Sequence, residues 1–98
     1  MKVTYPAIFE KGKEDIWVRF PDVDRGVTAG DTLEEARQNA AELLAEMLED
    51  YSSEGENFPI PGQVYEELSE TEFIENISIE IRSFSDGRKR TTAQKAGR

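Results

Sequence analysis

The stretch that most constrains this chain is residues 20–36, FPDVDRGVTAGDTLEEA, because it ends one strand, makes a turn and begins the one long helix that the sequence predicts. Pro21 has no amide proton to give to a strand ladder, so the strand before it should end at Phe20. The short apolar run 27–29 is bounded by glycines and predicts another strand running back beside it. This stretch therefore sets the order strand, turn, strand and helix.

A capping box, residues 32–35 with the sequence TLEE, marks the start of the helix. The Thr32 hydroxyl is placed to accept the amide proton of Glu35, and the Glu35 carboxylate can reach back toward the preceding turn. Such boxes are frequent in proteins, so this one indicates a helix start and carries no information about chemistry.

The helix is predicted from residue 33 to about residue 51, because its apolar residues recur every three or four positions. They are Leu33, Ala36, Ala40, Leu43, Leu44, Met47, Leu48 and Tyr51. The polar side includes Glu42 and Glu46, one turn apart. Without a histidine or a third inward ligand, we interpret this pair as a solvated surface and not as a metal site.

Two strands are expected before the central stretch. Residues 2–9 alternate with a period of two, and within them Pro6 needs a bulge or a gap in pairing because it lacks an amide proton. Residues 16–20 form the return strand, which places Trp17 and Arg19 on the outward face.

After the helix, residues 52–62 read as a loop, and residues 63–73 fit either a short helix or an irregular connection. Residues 75–84 predict a fourth strand with Ile77, Ile79 and Ile81 facing inward. The fold class is therefore α+β in two layers: an antiparallel meander of three strands, a crossing helix, and a fourth strand beside the first, in the order 3-2-1-4. A right-handed crossover predicts that the fourth strand runs parallel to the first.

The 98 residues, 37% of them hydrophobic, suffice for one compact domain, which we place at residues 1–84. Residues 85–98 contain no apolar residue larger than alanine and predict a disordered, basic tail.

The chain has no cysteine and no histidine, so disulfides, thiolate metal sites and histidine-dependent nucleophilic catalysis are excluded. We predict no catalytic, cofactor or metal site. Without a membrane-length apolar run or a signal peptide, a cytoplasmic location is expected.

Charge is distributed unevenly along the chain. The net charge is −9, but residues 1–82 carry −13 because the basic residues of the tail outnumber its one acid. An acidic body favours a basic protein partner through a faster and better oriented encounter. The alternative interpretation is an acidic surface that only keeps a small protein in solution.

The candidate partner-binding residues are Trp17, Arg19, Asp22 and Asp24. An exposed aromatic beside an arginine is typical of protein interfaces, although Trp17 also fits a small cluster with Ile8 and the stem of Arg19. Asp22 and Asp24 project from the turn and are expected to be free for a basic partner. An alternative interface is the exposed edge of the fourth strand, residues 77–84.

The chain resembles the HicB-type antitoxins of bacterial toxin–antitoxin modules over roughly residues 2–82. The matching residues are Phe20, Pro21, Asp22, Gly26, Thr28, residues 30–36 and the Pro-Ile-Pro segment at 59–61. The resemblance implies a degenerate ribonuclease-H-like fold without that enzyme's catalytic carboxylates. It also implies a partner, a small basic toxin of the HicA type that cleaves mRNA and is silenced when the antitoxin covers it.

The chain departs from the family pattern in two places. Residues 24–27 read DRGV where members often carry Pro-Gly-Cys or Pro-Gly-Val. Many members also continue into a ribbon-helix-helix or helix-turn-helix module, whereas here a basic tail follows. Its Arg88, Lys89 and Arg90 can contact phosphate. Three positive charges without a folded DNA-binding module predict only weak, salt-sensitive DNA binding.

The leading hypothesis is a non-enzymatic antitoxin of a type II module that neutralises such a toxin. The first alternative is a freestanding protein-binding domain of the same fold without a toxin partner, and homo-oligomers are compatible with either. A neighbouring reading frame for a small basic protein with one histidine would distinguish these two. The second alternative is a metal-dependent enzyme, but Asp22, Asp24 and Asp31 fall on turns and do not converge on one ion.

Overall fold

The computed structural model describes residues 1–23, 26–62 and 66–81. Within these ranges the chain forms four strands and one helix: β1 (Lys2–Lys11), β2 (Ile16–Arg19), β3 (Val27–Gly30), α1 (Leu33–Ser53) and β4 (Glu72–Glu80). The strands make one sheet in the order β3-β2-β1-β4, and α1 packs against one side of it. This confirms the α+β class, the meander, the two layers and the strand order.

The predicted direction of β4 is wrong, because β4 pairs with β1 in the antiparallel sense. The two ends of this ladder join Lys2 to Glu80 and Glu10 to Glu72. β4 begins at Glu72, opposite Glu10 near the end of β1, so it enters the sheet from that end. The handedness rule concerns parallel connections and therefore does not apply here. The strand also begins earlier than predicted, at Glu72.

The hydrophobic core lies between α1 and the face of the sheet that we call the inner face. The predicted alternation is confirmed, since Tyr5, Ala7 and Phe9 are all buried against the helix. The rings of Phe9 and Phe73 stack across β1 and β4 with their centroids 5.2 Å apart. The helix contributes five fully or almost fully buried residues: Ala36, Ala40, Leu44, Met47 and Leu48.

The capping box is confirmed at the start of α1. The Glu35 amide donates to Thr32 Oγ1 at 3.1 Å, while Glu35 Oε1 accepts from the amide of Asp31 at 2.6 Å. The returning bond thus reaches one residue before the cap. Two otherwise unpaired amides at the helix start are satisfied in this way.

Gly30 brings the helix and β3 into direct backbone contact. A Cβ atom at this position would lie 2.4 Å from the amide nitrogen of Ala36, which is too close for any side chain. Asn39 Nδ2 also donates to the Ala29 carbonyl at 2.8 Å. The first two turns of α1 are therefore fixed to the short edge strand.

Pro6 lies at a gap in strand pairing, as predicted. Lys11 N donates to Thr71 O and Ile81 N donates to Met1 O, so the odd-numbered residues of β1 direct their amide groups toward β4. Pro6 therefore directs its nitrogen toward β2. The ladder with β2 covers only residues 8–11 of β1, so no bond is lost at Pro6.

For residues 63–73 the sequence fits either a short helix or an irregular connection. Of these, residues 66–71 are irregular and not helical. Residues 63–65, Asp24 and the predicted tail at 85–98 with Arg88, Lys89 and Arg90 lie outside the described residues. In the part of the chain that is described, no helix is both long and apolar enough to span a membrane.

Candidate partner-binding face

The sheet has a second face, which points away from α1 and which we call the outer face. It is formed by the alternate residues of the strands that build the core. Its members are Pro6, Ile8 and Glu10 on β1, Trp17 and Arg19 on β2, Val27 and Ala29 on β3, and Glu72, Ile74 and Asn76 on β4.

The registers of the three ladders align these side chains in rows across the sheet. One row consists of Val27, Arg19, Ile8 and Ile74. The next row consists of Ala29, Trp17, Glu10 and Glu72. Since directly opposed residues of neighbouring strands interact, each row places apolar and charged side chains in contact distance of one another.

Three of the five exposed large apolar side chains among the described residues lie on this face. Trp17 is 48% exposed, Val27 58% and Ile74 42%, while Ile8 between them is only 1% exposed. The prediction that Trp17 points outward is therefore confirmed. An open groove of about 200 Å³ runs along its ring, lined by Ile8, Glu10, Trp17, Val18, Arg19 and Val27. Trp17 is therefore an exposed aromatic that lines one groove with Ile8 and Arg19.

Arg19 is engaged in ion pairs within the chain. Its Nη2 atom lies 2.7 Å from Glu66 Oε1 and 3.4 Å from Glu72 Oε2. These bonds hold the irregular segment before β4 against the outer face. The hydrogen bond from Arg19 lowers the pKa of Glu66, and the same pair raises the pKa of Arg19. The pKa of Glu72 is lowered first by the amide of Ser69, which donates to it at 2.9 Å, and then by Arg19.

Asp22 is not free, contrary to the expectation from the sequence. Its Oδ2 atom accepts from the amide of Gly62 at 3.1 Å. Nearby, the Tyr5 hydroxyl donates to the Pro59 carbonyl at 2.6 Å, and the pKa of Tyr5 is raised by burial and by the negative charge of Asp22. The two bonds fasten residues 59–62 to the sheet. Asp22 therefore has a structural contact that the sequence did not indicate.

Among the outer-face residues that were not predicted as site residues are Glu10, Val27, Glu72 and Ile74. Glu10 lies directly opposite Trp17 on one side and Glu72 on the other. It is exposed, and among the described residues its side chain makes no hydrogen bond or ion pair. The alternation of β1 in the sequence indicates that Glu10 lies on the same face as Ile8. The positions of Val27 and Ile74 beside it depend on the strand registers.

The alternative interface, the open side of β4, is also an edge in the structure, since β4 is the last strand of the sheet. Glu72 and Glu80 stand at its two ends. Charged side chains on an edge strand discourage pairing with another uncharged strand. Residues 82–84 of the predicted edge lie outside the described part.

Within the described ranges, no three acidic side chains lie close enough together to hold a metal ion. An open groove with a half-exposed tryptophan and surrounding carboxylates is typical of a protein-binding surface with a polar rim. The fold and this face together define a small α+β protein with an acidic, partly apolar sheet face that is a candidate for partner binding.

Comparison with known proteins gives the family. The sequence model described as "HicB_like antitoxin of bacterial toxin-antitoxin system" matches residues 5–91. The chain therefore belongs to the HicB-like antitoxin family, which confirms the resemblance. The match reaches into the predicted tail.

A curated relative, "Antitoxin HicB 1" of Photorhabdus laumondii subsp. laumondii, is 39% identical over 61 residues. The aligned part is 61% of this chain and 39% of the relative, so the chain spans about two fifths of that protein.

Two solved structures share the fold. One chain of the toxin–antitoxin complex from Streptococcus pneumoniae aligns with a TM-score of 0.70 and 24% identity, over 88% of this chain and 72% of that chain. One chain of the "HicA3 and HicB3 toxin-antitoxin complex" aligns with a TM-score of 0.61 and 25% identity, over 76% of this chain and 94% of that chain. The relation to ribonuclease H that the resemblance implied stays a prediction.

Proposed function

We propose that this protein is the antitoxin of a type II toxin–antitoxin module and that it binds and neutralises a small, basic, mRNA-cleaving toxin of the HicA type. The observation that carries the proposal is the family match over residues 5–91. The two structural neighbours come from toxin–antitoxin complexes, which is consistent with a protein partner.

The outer face has the chemistry that such a partner requires. A ribonuclease must present positive charge to the phosphates of its substrate, and this protein carries an excess of negative charge. On the outer face, Trp17 and Val27 supply exposed apolar area, and Glu10, Glu66 and Glu72 supply carboxylates. The charges would speed the encounter, while the apolar residues would set the lifetime of the complex.

Neutralisation then requires no catalysis by the antitoxin. A protein that covers the basic surface of a ribonuclease excludes RNA from it, because the same cations cannot pair with carboxylates and phosphates at once. We propose a non-enzymatic role of this kind, in the cytoplasm where the mRNA lies. We also propose Trp17 and Arg19 as contacts, with Asp22 and Asp24 as charged residues near the edge of the interface.

The test is co-expression of this protein with the product of the adjacent gene. We expect the two to co-purify and the toxin alone, but not the complex, to cleave RNA. Trp17→Ala should speed dissociation at least 10-fold, as for other central aromatic anchors, while the variant stays folded. Glu42→Ala, on the exposed side of α1, is the matched control and should bind like the parent.

Two results would contradict the proposal. If the parent protein neither binds the neighbouring product nor protects cells from it, the chain is a freestanding binding domain without that toxin. If the Trp17 variant binds normally, the function stands but the interface lies elsewhere, first of all at the edge of β4.

A further inference from the structure

Glu10 differs from the other carboxylates of the outer face. Glu66 and Glu72 are both held by Arg19, whereas the side chain of Glu10 makes no hydrogen bond or ion pair in the described part of the chain. Its backbone is nevertheless fixed in place, because it belongs to the paired region of a central strand, with β2 on one side and β4 on the other. The result is a carboxylate that is anchored on an ordered strand and has no cation among the described residues.

Trp17 stands directly beside this carboxylate. The two residues are opposed in the β1–β2 ladder, and cross-strand neighbours of this kind have Cβ atoms about 4.5–5.5 Å apart. Both line the same open groove, with Ile8 as its buried floor and Val27 at its side. An indole face and a carboxylate thus meet over an apolar base.

The size and chemistry of the groove restrict its occupant. Its volume of about 200 Å³ is below the roughly 300–1,000 Å³ of small-molecule sites, so it suits one side chain better than a cofactor. A cation over an indole face is attracted by the ring, and a cation beside Glu10 forms a charge-assisted hydrogen bond. Arg19, the one cation that lines the groove among the described residues, is already neutralised by Glu66 and Glu72.

An arginine satisfies these conditions better than a lysine. Its guanidinium plane stacks on an aromatic ring and at the same time donates two parallel hydrogen bonds to a carboxylate, which a lysine ammonium does not do. Its methylene stem would lie against Ile8 and Val27, which are apolar.

We infer that the Trp17–Glu10 groove is the receptor for one arginine side chain of the toxin, stacked on the indole and paired with the Glu10 carboxylate. This inference rests on the proposed function, because the toxin supplies the arginine. It makes Glu10 a specificity-determining residue that selects a cation for the position above Trp17.

The experiment measures binding of the purified neighbouring toxin to the full chain by surface plasmon resonance. Glu10→Gln keeps the shape of the side chain and removes its charge, and Trp17→Leu keeps an apolar residue and removes the aromatic ring. Each should raise Kd roughly 10-fold, mainly through faster dissociation. Glu42→Gln is the control for the loss of one negative charge far from the groove and should leave Kd within about 2-fold.

A double-mutant cycle identifies the toxin arginine that occupies the groove. Each arginine of the toxin is changed to alanine in turn, and its effect is measured against the parent and against Glu10→Gln. One arginine should lose most of its effect in the Glu10→Gln background, while the others keep theirs. Unchanged melting temperatures of the variants would show that the losses are not due to unfolding.

The outcomes separate the two proposals. If the parent binds the toxin and both groove variants bind equally well, the arginine receptor is wrong and the antitoxin function stands. If Kd rises but every toxin arginine keeps its full effect, the group that occupies the groove is not an arginine and the inference is overturned. If the parent does not bind the toxin at all, both proposals fail together.

Discussion

The two faces of this one sheet are built from alternate residues of the same strands, yet they differ in how they are covered. The inner face is closed by α1, and residues such as Val18 and Phe9 have essentially no exposed surface. The outer face is only partly covered, by the irregular segment that Arg19 holds through Glu66. Trp17, the immediate neighbour of Val18, is half exposed.

The contrast teaches that stability and recognition are separated here by one position along the strand. Because side chains alternate with a period of two, a strand can give one set of residues to the core and the other to a partner. Substitutions at neighbouring positions should therefore have different consequences, and three predictions test how complete this separation is.

The largest effect on stability is expected at the centre of the inner face. Leu44 is fully buried, so Leu44→Ala should lower the free energy of unfolding by about 2–5 kcal/mol through lost burial and an unfilled cavity. That is a large part of the total for a small domain. Urea denaturation followed by circular dichroism measures it, with the exposed Glu42→Ala as the control. Equal midpoints for the two variants would show that α1 packs in a different rotation.

A smaller effect distinguishes two isoleucines within the outer face. Ile8 and Ile74 are directly opposed across β1 and β4, but Ile8 is buried and Ile74 is not. Ile8→Ala should cost about 2–3 kcal/mol and Ile74→Ala less than about 1 kcal/mol. Similar losses from both changes in thermal unfolding would mean that the outer face is covered as evenly as the inner one.

The smallest effect concerns acid stability. Arg37 donates two hydrogen bonds to Glu75, at 2.8 and 2.7 Å, and thereby lowers the pKa of Glu75 below its ordinary value of 4.5. A carboxylate with a lowered pKa in the folded state adds stability above pH 4.5, and this stability is lost as the pH falls through the folded pKa. Glu75→Gln should therefore flatten the decline of the melting temperature between about pH 4.5 and pH 3. An equal slope in the Glu75 variant and the parent would contradict the prediction.

Those parts of the fold that depend on local sequence patterns could be predicted from the sequence. The capping box gave the helix start, the alternation in β1 and β2 gave the two faces, and Pro6 gave the gap in pairing. The direction of β4 could not be predicted, because it depends on the end of the sheet at which β4 begins, and the long connection after α1 decides that end. No local pattern describes a connection of that length.

The candidate site could be predicted only in part, for the same reason. Trp17 and Arg19 were identified because they lie on one strand with a clear alternation. The rows that join Trp17 to Glu10 and Ile8 to Ile74 depend on the registers of separate ladders. The hydrogen bond of Asp22 could not be predicted, because its partner, the amide of Gly62, lies 40 positions away in the sequence.

The contact between Gly30 and Ala36 has a consequence for the thermodynamics of recognition. An edge strand of four residues would ordinarily fluctuate, but β3 is fixed to the backbone of α1 and by the bond from Asn39. Val27, and Trp17 opposite Ala29 on the adjacent strand, therefore rest on a support that is ordered before any partner arrives. Binding at this place gives up little conformational entropy, so more of the contact energy remains as affinity.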